Sequence, residues 1–165
     1  MIEVIPNWHP FVVHFVIAPV VMSSLFYILS LFPFPANFRS ELLIVAKWSL
    51  YVAAISSFIA AITGWYAFNT VLHDAAGHAA MLLHRKAAIV SVVLMFVSLS
   101  VLLVIGNKTA NVWFIVIVLV STMSVLVTSY LGAENVYRHG IGVQRIPEIV
   151  NRVGLEDHSS HDHDH

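Results

Sequence analysis

Ten histidines stand in this 165-residue chain, more than its eight lysines and arginines together, and there is no cysteine. Imidazole titrates near neutral pH and binds iron, copper, zinc and nickel. The lack of cysteine excludes disulfides, thiolate zinc sites, cysteine-held iron–sulfur clusters, c-type haem attachment and thiol catalysis. Six histidines, His9, His14, His73, His78, His84 and His139, lie in the body of the chain. The other four, His158, His161, His163 and His165, alternate with Asp157, Asp162 and Asp164 near its end. What the first six can do depends on whether the fold brings them together.

The composition is that of a membrane protein. Hydrophobic residues make up 59% of the chain and charged residues 10%, against roughly 25% charged in soluble domains. No Asp, Glu, Lys or Arg falls between Glu3 and Arg39, and only Lys47 does between Leu42 and His73. The runs Ala87–Asn107 and Thr109–Ala133 are also uncharged. Each run reaches the roughly 20 apolar residues that cross a hydrocarbon core of about 30 Å. Lipid offers the backbone no hydrogen-bond partner, so the spans are expected to be helices. They are placed near 10–32, 42–71, 79–105 and 111–133, with Pro10 in the first turn, Pro19 kinking the first helix and Pro33 and Pro35 ending it.

Short connections make neighbours antiparallel. The fold expected is all-α, an integral membrane up-down four-helix bundle over residues 1–143 with a short polar tail at 144–165. Pro147–Val153 reads as a short interfacial helix. Ser56, Ala60 and Gly64 on the second helix, and Ser124, Thr128 and Gly132 on the fourth, form small-residue seams that let helices pack closely.

Up-down folding places all six body histidines on one side of the membrane. Within that side, His14 and His84 fall deepest, at roughly 6 and 9 Å into their helices, and are expected to face each other. An ionisable residue inside a membrane is costly unless it has a partner. Ala18 beside His14, and Ala87, Ala88 and Ser91 beside His84, leave room for something flat, with Gly64 allowing it near the backbone. A b-type haem held between His14 and His84 fits that space and the missing cysteine. His9 and His139 are candidates for a second haem or for supporting hydrogen bonds. Arg85 and Arg138 are candidate partners of haem propionates.

A bare ion is the competing reading. His9 and His14 lie about 140° apart around a helix, and His78 and His84 about 240°, so such an ion would be held between helices. A third reading leaves the histidines purely structural. The tail histidines suit weak binding of zinc, copper or nickel.

The stretch Asn-Trp-His-Pro-Phe-Val-Val-His-Phe-Val-Ile-Ala at 7–18 and the closing Tyr-Arg-His-Gly-Ile-Gly-Val at 137–143 resemble a bacterial family of four-span membrane proteins that carry a domain of unknown function. The resemblance covers nearly the whole chain to Val143. It implies that His9, His14, His84 and His139 are family positions and that His73 and His78 are additions. Val16 departs from a proline common in the family, and Glu134 from a small or apolar residue. Links of relatives to redox domains imply electron transfer.

The function expected is therefore a b-type cytochrome-like membrane protein with one haem b, or two, serving as the electron-transfer subunit of an oxidoreductase. The alternative is a copper or zinc binding or transport protein without haem. Candidate partners are lipid, quinone, a redox partner protein and a second copy of the chain. A formal net charge of −1 gives no basic stripe for nucleic acid. Phosphate-loop and nucleophile-elbow motifs are missing. Arg85, Lys86, Arg138, Arg145 and Arg152 on the histidine side outnumber Arg39, Lys47 and Lys108 opposite. The positive-inside rule therefore puts the histidine face and both termini in the cytoplasm of a bacterial inner membrane.

Overall fold

The computed structural model describes residues 7–106 and 111–143. The tail histidines, the 147–153 segment and the tail's metal binding lie outside them. Among the described residues the chain is helical and without strands: α1 (His9–Val12), α2 (His14–Leu29), α3 (Ala36–Thr70), α4 (Ala75–Ile105) and α5 (Val112–Tyr137). The first span, His9–Leu29, comprises α1 and α2, and α3, α4 and α5 are the other three. The protein is an all-α membrane four-helix bundle.

The helices pack in a ring, α2 on α3, α3 on α4, α4 on α5 and α5 back on α2, with α1 lying against α3 and α2. Connections of a few residues at 30–35 and 71–74 hold consecutive helices antiparallel. Pro19 lies inside α2. The helical pattern instead breaks at Val13, where the Pro10 carbonyl accepts from the His14 side chain. Pro35 caps α3, which therefore starts at residue 36 rather than 42. Its 35 residues measure about 52 Å, more than a hydrocarbon core. The first turns, with Arg39, Glu41 and Lys47, overhang the bilayer. The exposed Trp48 and Trp65 are about 26 Å apart along α3, a spacing suited to the two aromatic belts.

The bundle buries most of its serines beside a core that includes Leu50, Met95, Leu102 and Phe114, and leaves many large apolar residues on its outer face. Ser23, Ser24, Ser30, Ser57, Ser91, Ser98, Ser121 and Thr122 are buried, while Ile55, Ile62, Leu103 and Met123 are exposed. Lipid is as apolar as leucine, so helices associate through close packing and hydrogen bonds. Ser98 meets Ser121 at 2.8 Å, Ser91 meets Ser124 and Thr128 at 2.8 Å each, and Ser23 donates to the Ala46 carbonyl at 2.9 Å. Ser24 pairs with Thr122 across α2 and α5.

Tyr27 is fully buried, edge-on to Phe114 with ring centres 5.2 Å apart, and its hydroxyl has no partner among the described residues. A buried polar group without a hydrogen bond costs about 1–3 kcal/mol. Tyr27→Phe is therefore expected to raise stability by about 1 kcal/mol in thermal unfolding in detergent. A loss of stability would show that the hydroxyl is satisfied.

Candidate functional site

The imidazole that faces His84 is His9, not His14. The His9 and His84 ring centres are 6.1 Å apart, with their planes at 75°. His9 Nδ1 donates to the Ala60 carbonyl at 3.1 Å and has Thr63 Oγ1 at 3.4 Å. The Thr63 hydroxyl donates to backbone carbonyls within α3, Ala60 among them, so it accepts from the imidazole. His84 Nδ1 donates to the Thr128 carbonyl at 3.0 Å. A carbonyl only accepts, so both rings carry their proton on Nδ1 when neutral, and both Nε2 atoms carry a lone pair.

The same local device makes both bonds. In a helix, residue i+4 covers the carbonyl of residue i on the same face. Four residues after Ala60 stands Gly64, and four after Thr128 stands Gly132. With no Cβ at either place, an imidazole from the preceding helix lies directly on the backbone. A Cβ at position 64 would come within 2.9 Å of His9 Cε1, and one at 132 within 3.1 Å of His84 Cε1. The small-residue seams read as packing features are thus also cradles for histidine. Each hairpin contributes one: α1–α3 holds His9 and α4–α5 holds His84, so the two halves of the bundle repeat one arrangement about the pair. Gly64 admits this imidazole, not the edge of a macrocycle as the sequence suggested.

Aromatic and cationic side chains of the kind found at membrane interfaces surround the site. Trp8 adjoins His9, and Arg85, next to His84, stacks its guanidinium over Trp65 and Phe68 at 5.3 and 4.9 Å from the ring centres. Because α4 starts at Ala75, His84 is nine residues into its helix, deeper than a start near residue 79 would put it.

Residues 6–145 match the family described as predicted membrane protein (DUF2231). The chain belongs to this family. Neither the curated proteins nor the solved structures yield a match. The DUF2231 match covers the opening His-Pro and the closing His-Gly segments, and so both members of the facing pair.

The other expected site residues of this DUF2231 protein lie apart from the pair. His14 is exposed on the outer face of α2, with Nδ1 on the Pro10 carbonyl at 2.7 Å, in an open groove with Ile17, Ala18, Val21 and Met22. Its expected pairing with His84 is corrected on that ground: His14 stands on the exposed face of α2, and the ring facing His84 is that of His9. His139 is partly buried in the turn after α5 and joins no histidine pair. Arg138 is held by Glu134 at 2.8 Å, one turn back, and Arg85 by its two aromatic rings. Both are thus engaged by protein groups rather than aimed at the pair. Glu134, the departure from the family pattern, is the partner of Arg138. His73 and His78 meet each other at the α3–α4 turn.

The donor set decides which chemistry fits. Among the described residues no three His, Cys, Asp or Glu side chains converge, so a closed tetrahedral zinc site, with four protein ligands, is not formed there. Two neutral imidazoles suit an ion whose other positions are filled by something else, or one that takes only two ligands. Haem iron is of the first kind and copper(I) of the second.

Proposed function

We propose that this chain is a membrane electron-transfer protein of the b-type cytochrome kind, in which His9 and His84 would hold a haem. The observation that carries this reading is the pair of Nδ1-to-carbonyl bonds, which orient both rings and leave both Nε2 atoms free to ligate. Ligating histidines are ordinarily fixed in this way by a partner on the far nitrogen. The ring centres lie 6.1 Å apart, so the two side chains could both reach one ion between them.

When bound, haem supplies one-electron chemistry, ferric to ferrous and back. The protein's residues do the rest. The Ala60 and Thr128 carbonyls strengthen the donor nitrogens by accepting from Nδ1–H. The serine- and alanine-lined interior excludes water on the hydrocarbon side. Electrons would pass to or from a membrane quinone or a redox partner protein. The count of cationic residues favours a cytoplasmic histidine face in a bacterial inner membrane.

One observation favours the reading without a macrocycle. The small positions beside the pair, Gly64 and Gly132, are filled by the imidazoles themselves, and a linear copper(I) ion needs no further room. The two readings separate in one experiment, absorption spectra of the full chain purified in detergent from haem-replete cells, oxidised and dithionite-reduced. A Soret band with sharp reduced α and β bands is expected. A colourless protein would overturn the cytochrome reading, and copper analysis of that sample would then decide for or against the ion.

A further inference from the structure

His73 and His78, additions by comparison with the family motifs, form a second imidazole pair, separate from the first. His73 lies in the 71–74 turn and His78 in the first turn of α4, both exposed. His73 Nδ1 donates to the Val71 carbonyl at 2.7 Å, so its Nε2 carries a lone pair. That Nε2 lies 2.9 Å from His78 Nδ1. The rings are nearly coplanar, 11° apart, with centres separated by 5.1 Å. The surroundings fix the pair. Asp74 Oδ1 accepts from the Gly77 amide at 2.7 Å and caps the turn that carries His78. Phe68 packs beside the His78 ring with centres 5.7 Å apart.

In the neutral pair a proton on His78 Nδ1 bridges the two nitrogens. Moving that proton to His78 Nε2 leaves two facing lone pairs, and a metal ion then takes the place of the bridging proton as both rings turn towards it. Neighbouring nitrogens on a square-planar ion, each about 2.0 Å from it, lie about 2.8 Å apart. A tetrahedral ion would set them about 3.3 Å apart. The observed 2.9 Å is the length of the N–H···N bond itself; it brings the two nitrogens within reach of one ion and does not choose between those shapes. The Val71 carbonyl on the far nitrogen of His73 is the kind of partner that orients a ligating imidazole, and the exposed turn gives an ion a direct path in.

The geometry points to a divalent transition-metal site at the α3–α4 turn, held by His73 Nε2 and His78 Nδ1, with solvent completing its shell. Copper(II) is its strongest ligand among the first-row ions and nickel(II) the next of tetragonal habit. The site is independent of the haem reading and shares no residue with it.

The test uses the full chain with His158, His161, His163 and His165 replaced by alanine, so that the tail does not compete. Copper(II) is added to this protein in detergent and followed by electron paramagnetic resonance. One copper per chain is expected, with hyperfine coupling from two imidazole nitrogens. His73→Ala and His78→Ala, made separately, should each weaken binding at least tenfold. His14→Ala should leave it unchanged, and circular dichroism should show equal helix content throughout. Copper that stays as tightly bound in both variants, copper lost equally in His14→Ala, or no stoichiometric copper would each overturn the proposal.

Discussion

Replacing His9 or His84 by alanine is expected to weaken haem retention at least a hundredfold and to abolish the sharp reduced α band. Second-sphere partners of a metal ligand are already worth about 10–100-fold, and the ligand itself is worth more. His14→Ala is expected to keep the band, because His14 is exposed and stands apart from the facing pair. The contrast between His9 and His14 is the informative one, since both stand in the same opening motif five residues apart. The double variant His9→Ala/His84→Ala should lose little more than either single one, because removing one axial ligand already breaks the unit. Difference spectra of the four variants beside the parent check all of this. Loss of the band in His14→Ala with retention in His9→Ala would assign the ligand the other way.

The second large effect is expected at the glycine cradles. Alanine in place of glycine within a helix ordinarily gains about 1 kcal/mol. At position 64 the new Cβ would stand 2.9 Å from His9 Cε1, closer than real carbon contacts, and the ring cannot retreat without giving up Ala60. Overpacking of this kind costs about 1–3 kcal/mol, so Gly64→Ala is expected to be net destabilising and to weaken haem binding together with the His9 bond. At position 132 the contact is 3.1 Å, and a shift of a few tenths of an ångström relieves it, so Gly132→Ala should be milder. Gly64→Leu and Gly132→Leu should both lose the site. Thermal unfolding in detergent with and without added haem gives both numbers. A stabilised Gly64→Ala variant with unchanged spectra would contradict the cradle.

Much of this was legible in the residues. Charge-free runs located four spans, and up-down folding put six histidines on one side. The α3 boundary was missed because runs without charge mark the part of a helix inside the hydrocarbon. Arg39, Glu41 and Lys47 lie on the part of α3 that extends beyond it. The choice of His14 over His9 came from estimating depth rather than face. In α2 the buried positions are Val16, Val20, Ser23, Ser24 and Tyr27, and stepping back seven residues from Val16 reaches His9, not His14. In α4, Gly77, Met81, Ser91, Met95, Ser98 and Leu102 are buried, and His84 falls in the same register. That register is hidden in a helix apolar all round. Its clearest inward mark is serine, which the bundle buries beside apolar residues in both helices, since lipid gives polar side chains no partner. The repeated cradle was readable in part, as a glycine four residues after Ala60 and another four after Thr128. Which imidazole lies on each depends on the packing of helices distant in sequence.

The most direct test of the His9–His84 site is low-temperature electron paramagnetic resonance of the oxidised, haem-loaded full chain. A low-spin ferric signal of two imidazole ligands is predicted for the parent and for His14→Ala, and its loss in both His9→Ala and His84→Ala. A haem signal indifferent to both substitutions, or a high-spin signal in the parent, would contradict the account.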